Sequence, residues 1–516
     1  PTVTRPVFVG DGSGALYVDY NVTAGAAVLD CAPPIGEVYT VTAVAQVTYD
    51  ANGAFTDDST VTKLTLSLGG GQSMPAKGSI GKLTATNVLA ANGGTDQTGQ
   101  HVYILDVVGS DVFVPAFLYD TFSTSMQLIM LGTNPCSLEG FGMIGNYSNI
   151  VANDLRYHFA RVTGAIAPPC RRLTFIDGSD VGLLLAGTYA ASTDRIRVRR
   201  MRNATASESP QVLGYGVQDA GSWLSQHRDL GGVDCRHVYT TNSVAPSFPR
   251  IMWGRTFRPQ IVGGQASGCS AAAYDCHADC VGAEFQNLRV VGGYLGEYSA
   301  GIGIQLRGAQ ARALNCSVAD LPVGIQVKKT YVGEVGQHTI QGYRYDGSGI
   351  GISAQFEAGL TGSDQRQRVR VGHSHIRTSG LWAIGISAAD LDLVSDVLVE
   401  HFGAPPSACR ALQCSNAAIP RSTDGRPLLD GVWQAMGTGS TPMCGMAAWP
   451  PLPRTLILNS LVDAITGPAL AAMVPAGMPG QLCMPYTACI GKRSKRPSAT
   501  ITRPPPSFSS AGWKMK

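Results

Sequence analysis

Ile302-Gly303-Ile304-Gln305-Leu306 is followed by Val323-Gly324-Ile325-Gln326-Val327, then Ile350-Gly351-Ile352-Ser353, then Ile384-Gly385-Ile386-Ser387. Apolar side chains recur at i and i+2, the period of a strand with one buried face. Gly303, Gly324, Gly351 and Gly385 are separated by 21, 27 and 34 residues. A strand signal that recurs at irregular spacing predicts the coils of a β-solenoid whose loops vary in length. The pattern is densest from Asp275 to Glu400.

The surrounding composition agrees. The chain has 516 residues with 62 Gly and 30 Pro, and only 15% of its residues are charged. No run has the period of an amphipathic helix, so the expected class is all-β. A net charge of +3 gives no global drive towards nucleic acid. No apolar run is long enough for a membrane helix, and Pro1-Thr2-Val3-Thr4-Arg5 lacks the apolar centre of a secretion signal. The 13 cysteines are scattered and odd in number, which predicts buried thiols rather than a disulfide framework.

Outward from the repeats, the texture divides the chain. Residues 1–20 read as an N-terminal arm. Residues 21–135 carry short strands at Glu37–Thr48, Thr60–Leu68, His101–Val108 and Met126–Leu131 between turn clusters, which predicts a β-sandwich-like attachment domain. Residues 136–425 hold the solenoid and 426–490 a C-terminal β/loop region. Residues 491–516 form an extended basic, Pro-rich tail ending near Trp513, a candidate docking anchor.

Five segments add a resemblance. They are Arg236-His237-Val238-Tyr239-Thr240-Thr241, Tyr274-Asp275-Cys276-His277-Ala278-Asp279-Cys280, Glu284 to Val290, Gly301 to Gly308, and Leu314-Asn315-Cys316-Ser317-Val318. Together, over roughly 230–405, they resemble the right-handed parallel β-helix (pectin-lyase-like) domain of bacteriophage tailspikes and related virion spikes. The resemblance implies a homotrimer on the virion, made in the host cytoplasm. It further implies an N-terminal region bound to other virion proteins and a β-helix facing a host-surface glycan, without cofactor, nucleic acid or membrane insertion. That fold also carries enzymes, so a polysaccharide depolymerase is the alternative.

Strand alternation nominates the site residues. An inward Ile376 leaves His373, His375 and Arg377 on the outer face. With Arg368 and Arg370 they form the densest basic cluster, a candidate for binding glycan. Leu391 and Leu393 inward leave Asp390 and Asp392 outward, about 6.5–7 Å apart by strand rise, a spacing compatible with an inverting acid pair. His373 and His375 are also candidate bases for a lyase. Gly372-His373-Ser374 is similar to a Gly-His-Gly element of β-helix polygalacturonases but departs at its third position, and the accompanying acidic elements are missing. The same alternation places Ile302, Ile304 and Leu306 inward, and Leu314, Cys316 and Val318 inward. Cys276-His277-Ala278-Asp279-Cys280 has metal-ligand chemistry. Its C-x3-C spacing instead predicts two buried thiols with His277 and Asp279 facing out, and no metal.

Overall fold

The computed structural model describes residues 2–3, 15–18, 27–31, 35–48, 60–88, 99–115, 118–131, 136–146, 158–202, 214–241, 254–277, 280–292, 301–328, 336–354, 367–380, 382–386, 389–401, 410–414 and 434–437. Among them every regular element is a strand, arranged in sheets of eighteen, eleven and seven strands. The two larger sheets are parallel throughout, and the chain visits them in turn. Glu284–Val291 lies in the eighteen-stranded sheet, Ile302–Leu306 in the eleven-stranded sheet, and Arg312–Leu314 is back in the first. This is the path of a parallel β-helix, because parallel neighbours one coil apart require the chain to travel right round.

One apolar core fills the coils, from Leu138 and Phe159 through Phe285 and Ile304 to Ile376 and Val399. Eight described cysteines are buried thiols, as expected of small apolar side chains in a coil interior.

The eighteen-stranded sheet bends at one residue per coil. Gly140, Arg172, Arg195, Asp229, Gly263, Asn287, Asn315, Gly342, His373 and Asp396 all have φ between 46° and 73°. Register stacks them, since the strands on either side pair coil by coil. The left-handed conformation costs a residue with a Cβ about 1–2 kcal/mol, and each corner is held from the next coil: Asn315 N–H donates to Gln341 O at 2.8 Å and Gly342 N–H to Gly372 O at 3.1 Å. The corner interrupts strand alternation. Leu314, expected inside, is half-buried, while Ala313, Cys316 and Val318 enter the core.

The glycines of the repeat also differ from expectation. A Cβ on Gly303 would point into the interior, 2.6 Å from Val318 Cγ2 and 2.5 Å from Gly324 O. Gly182 and Gly216 make the same approach to Phe175 and Val198. The ladder pairs the residues flanking this column and passes over the glycines themselves. Ile302 is therefore only half-buried, whereas Ile304 and Leu306 are in the core. In the last repeat Ile384, not Ile386, pairs with Ile352. Gly385 thus stands beside Ser353, and Ala383 takes the glycine position.

Three domain boundaries move. The expected arm over 1–20 contributes strands to the helix: Thr2–Val3 pairs in parallel with Ser137–Leu138, and Ala15–Val18 with Gly142–Gly145. Ala27–Cys31 then pairs with His158–Thr163, so these three strands supply a first coil. The antiparallel domain is inserted after that coil instead of preceding the helix. At the other end Gln434–Gly437 pairs with Leu398–His401, carrying the coils past 425. The loop region beyond it, the basic tail and Trp513 lie outside the described residues.

The inserted domain is a single antiparallel sheet. Its order is Gln100–Tyr103, Ile80–Thr84, Gln127–Leu131, Ile35–Thr48, Thr60–Ser67, Asp111–Pro115 and Asp106–Val108. Val102 in the first strand of this order and Val112 in the next to last share one core with Leu64, Leu83 and Leu128, and Val107 of the last strand packs against it, so the sheet curls on itself. It packs on the coils through Tyr103, stacked 4.6 Å from Tyr189, and through Arg255, which donates to both Asp120 oxygens at 2.8 and 3.0 Å. Tyr189, Trp223 and Phe257 follow one another up a column of backbone bridges, giving the insert an aromatic strip to rest on.

Candidate functional site

Two clusters of chemistry-bearing side chains emerge. The first is the predicted basic patch. Arg368 and Arg370 are exposed on Gln367–Gly372, and His375 and Arg377 face outward on His375–Thr378. His373 is the left-handed corner between these strands, with φ 46°. Several of these groups already face an acid: His373 Nδ1 lies 3.3 Å from Asp396, His375 Nε2 lies 3.2 Å from Glu400, and Arg377 donates to both Asp346 oxygens at 3.1 and 3.3 Å. Such exposed pairs each contribute only about 0–1 kcal/mol, so a stronger anionic ligand can displace them.

Asp390 and Asp392 do not occupy i and i+2 of an unbroken strand. Val369 pairs with Leu391 but Arg370 with Leu393, a register shift that makes Asp392 the extra residue of a bulge. The spacing expected of an inverting pair therefore does not apply. Asp390 pairs in register with Arg368.

The second cluster centres on Asp275 and lies on the outer side of the eleven-stranded sheet. Asp275 is fully buried. It accepts from Arg307 at 2.8 and 3.2 Å and from Thr240 Oγ1 at 3.0 Å. His277 Nε2 is 3.3 Å from the same carboxylate and 3.1 Å from Arg307 Nη2. The chain leaves the strand after Cys276, and Cys280 N–H donates back to His277 O at 3.0 Å. His277 therefore turns onto Asp275 rather than standing on a strand face beside Asp279, which lies outside the described residues. Cys276 and Cys280 are buried thiols.

Electrostatics explain why this centre stays ionised. Burial, the largest single influence, pushes the Asp275 carboxyl upward, but Arg307, His277 and His237 together more than offset it and hold the group below the usual carboxylate range. Burial, reinforced by Arg307, keeps His277 neutral far down the pH scale. Burial lowers His237 to about 4, opposed by Asp275. With Arg307 and Thr240 on its oxygens, Asp275 organises the surface and is poorly placed as a proton donor.

A pH dependence follows with a definite sign. A histidine free to protonate near ~6.5 when unfolded, but held neutral in the fold, contributes full stability above that pH and loses it as pH falls. His237 and His277 should each remove about 1.4 kcal/mol per pH unit below ~6.5, for His237 down to its folded value of about 4. Asp275, depressed in the fold, adds its own loss only below ~3.9. Thermal melts should show Tm falling between about pH 7 and 5, with a shallower slope in His237→Gln. A slope identical in the two proteins rejects the assignment.

Alternation within single strands could not find a further set of cations. Arg289, Arg312 and Arg344 are 23 and 32 residues apart in sequence, and all are exposed on the outer face of the eighteen-stranded sheet. Arg289, Ser317, Arg344 and His375 form one stacked column, and Glu284, Arg312 and Thr339 belong to its neighbour. Thr339 pairs in turn with Arg370.

No protein-family model matches the chain. Its fold is similar to the crystal structure of the tailspike protein gp49 from Pseudomonas phage LKA1, with a TM-score of 0.52 at 11% identity, covering 83% of this chain and 67% of that one. It is likewise similar to the tailspike gp61 of Pseudomonas phage phi297, with a TM-score of 0.54 at 13% identity and the same coverage. The gp54 tailspike of Acinetobacter baumannii bacteriophage AP22, solved with a capsular saccharide, aligns at a TM-score of 0.46 and 11% identity over 87% of this chain and 74% of that one. At these identities the likeness is one of fold.

Proposed function

We propose that this chain is a tailspike-type component of a phage virion, a homotrimer that contacts a host-surface polysaccharide through its β-helix. The observation that carries the reading is the fold: a long parallel β-helix, matched over 83% of the chain to two phage tailspikes at TM-scores above 0.5. The outer face of the coils supports it. That face is polar and rich in arginine, with Arg368, Arg370, His373, His375 and Arg377 among its side chains. Arginine forks and histidines suit the hydroxyl and carboxyl groups of a sugar chain better than an apolar protein interface.

In this reading the inserted antiparallel domain, with the N-terminal region around it, meets the other virion proteins. Light scattering on the purified chain should give three times its 54.1 kDa mass. A monomer at micromolar concentration removes the spike assignment. Incubation with host capsule or lipopolysaccharide separates binding from cleavage: release of reducing ends or unsaturated uronates makes the protein a depolymerase, and adsorption without release makes it a binder.

A further inference from the structure

Four consecutive coils each present an exposed arginine on the outer face of the eighteen-stranded sheet: Arg289, Arg312, Arg344 and Arg368. None of these four guanidinium groups has an ion-pair or hydrogen-bond partner among the described residues. Arg377, by contrast, is engaged with Asp346. The register fixes their arrangement. Arg289 and Arg344 share one column with Ser317 between them, so they stand two coils, about 9.5 Å, apart. Arg312 stands in the neighbouring column, below Thr339, and Arg368 stands one column further out, beside Gln337 of the coil below. The four cations thus step up the helix axis one per coil across three adjacent columns, with Ser317 between Arg289 and Arg344.

We infer that this staggered arginine row is a binding surface for a linear polyuronate lying along the helix axis, with the carboxylates of alternate sugars facing the row. The inference deepens the glycan-contact reading above and rests on it for the source of the polymer. Charge complementarity selects the occupant. All the cations are arginines, whose planar fork holds a carboxylate bidentately, while a lysine would serve as a point charge. Their density argues against nucleic acid: a duplex carries one charge per ~1.7 Å, whereas the row offers one cation per coil, about 4.8 Å. Glu284 lies within the row beside Arg312 in register, where a closely spaced run of phosphates would meet it. A sparse anion leaves it clear. The two-coil interval is close to the length of an extended disaccharide.

The test uses the full chain with polygalacturonate as probe and dextran of matched length as the neutral control, by affinity electrophoresis at low and physiological salt. Expected is retardation by polygalacturonate alone, weaker at higher salt, and at least ten-fold weaker in the combined variant R289Q/R312Q/R344Q/R368Q with an unchanged melting curve. Arginine modification by phenylglyoxal, mapped by mass spectrometry on the unmutated chain, provides a second measurement that does not depend on the variant. Polygalacturonate should shield Arg289, Arg312, Arg344 and Arg368 but not Arg195. Equal retardation by dextran, equal competition by duplex DNA, no shielding, or a change of oligomeric mass in the variant overturns the inference. Light scattering keeps the two readings apart. A trimer indifferent to polygalacturonate overturns the arginine row and leaves the spike standing, while a monomer that binds polygalacturonate does the reverse.

Discussion

Replacing Gly324 with valine is expected to disrupt the β-helix locally, at a cost of about 3 kcal/mol or more. A Cβ at this position would sit 1.9 Å from Tyr343 Oη and 2.5 Å from Gly351 O. The first of these atoms belongs to a fully buried ring whose hydroxyl donates to Gly351 O at 3.1 Å. The second is backbone of the next coil. Neither yields without moving a neighbouring strand, because interiors are close-packed and transmit displacement. The alanine variant should already destabilise, and valine, with two further carbons, more so. Denaturant melts of Gly324→Ala and Gly324→Val should show the graded loss. A control at Gly70, where a built Cβ meets nothing within 4 Å, should show little. Equal stability of the Gly70 and Gly324 variants would mean that the column tolerates side chains and that the interior contact has been misread.

Removing Arg307 should be the other large loss. Arg307→Met leaves the fully buried Asp275 with Thr240 and the neutral His277 in place of a bidentate cation. Breaking one side of a buried pair costs about 3–5 kcal/mol, since the remaining charge stays desolvated and uncompensated. Asp275→Leu alone should also destabilise, by removing the carboxylate that accepts from both Arg307 and Thr240. The double variant Asp275→Leu/Arg307→Met should recover much of the loss, because two apolar side chains of similar bulk leave no charge buried. Stability of the four proteins forms a double-mutant cycle. If the double variant is as unstable as the sum of the singles, the pair is not the source of the cost.

Much of the architecture was legible because it repeats. The Gly-Ile segments announced coils, since a strand that must bury one face recurs with a period of two wherever the chain passes the core. Strand positions in the antiparallel domain followed from the same signal: Glu37–Thr48 and Thr60–Leu68 became Ile35–Thr48 and Thr60–Ser67. The misplacements arise where strand alternation is interrupted, at a corner, at an inward glycine or at a bulge. Alternation is a local rule, and the coils break it at stacked corners such as Asn315 and His373, whose left-handed backbone shifts the phase of the next strand. Leu314 and Ile302 were set inside on that rule and proved half-buried. Asp390 and Asp392 fell on a bulge that the rule does not include.

The site was less legible for a different reason. The patch at 368–377 was visible because its cations are adjacent in sequence. Arg289, Arg312 and Arg344 are remote in sequence and become neighbours only when coils of unequal length are stacked. Thr2–Val3, Ala15–Val18 and Ala27–Cys31 offered no sign that they complete a coil, because their partners begin more than a hundred residues later, beyond an inserted domain. By itself, then, the sequence determined the all-β class, the solenoid and the buried cysteines, since each follows from short-range periodicity and burial preference. The tertiary structure alone decided register, and register decided which arginines align, which carboxylate is locked, and why a glycine must face the interior. Those are relations between residues one coil apart, set by loop length and corner geometry rather than by any local pattern of side chains.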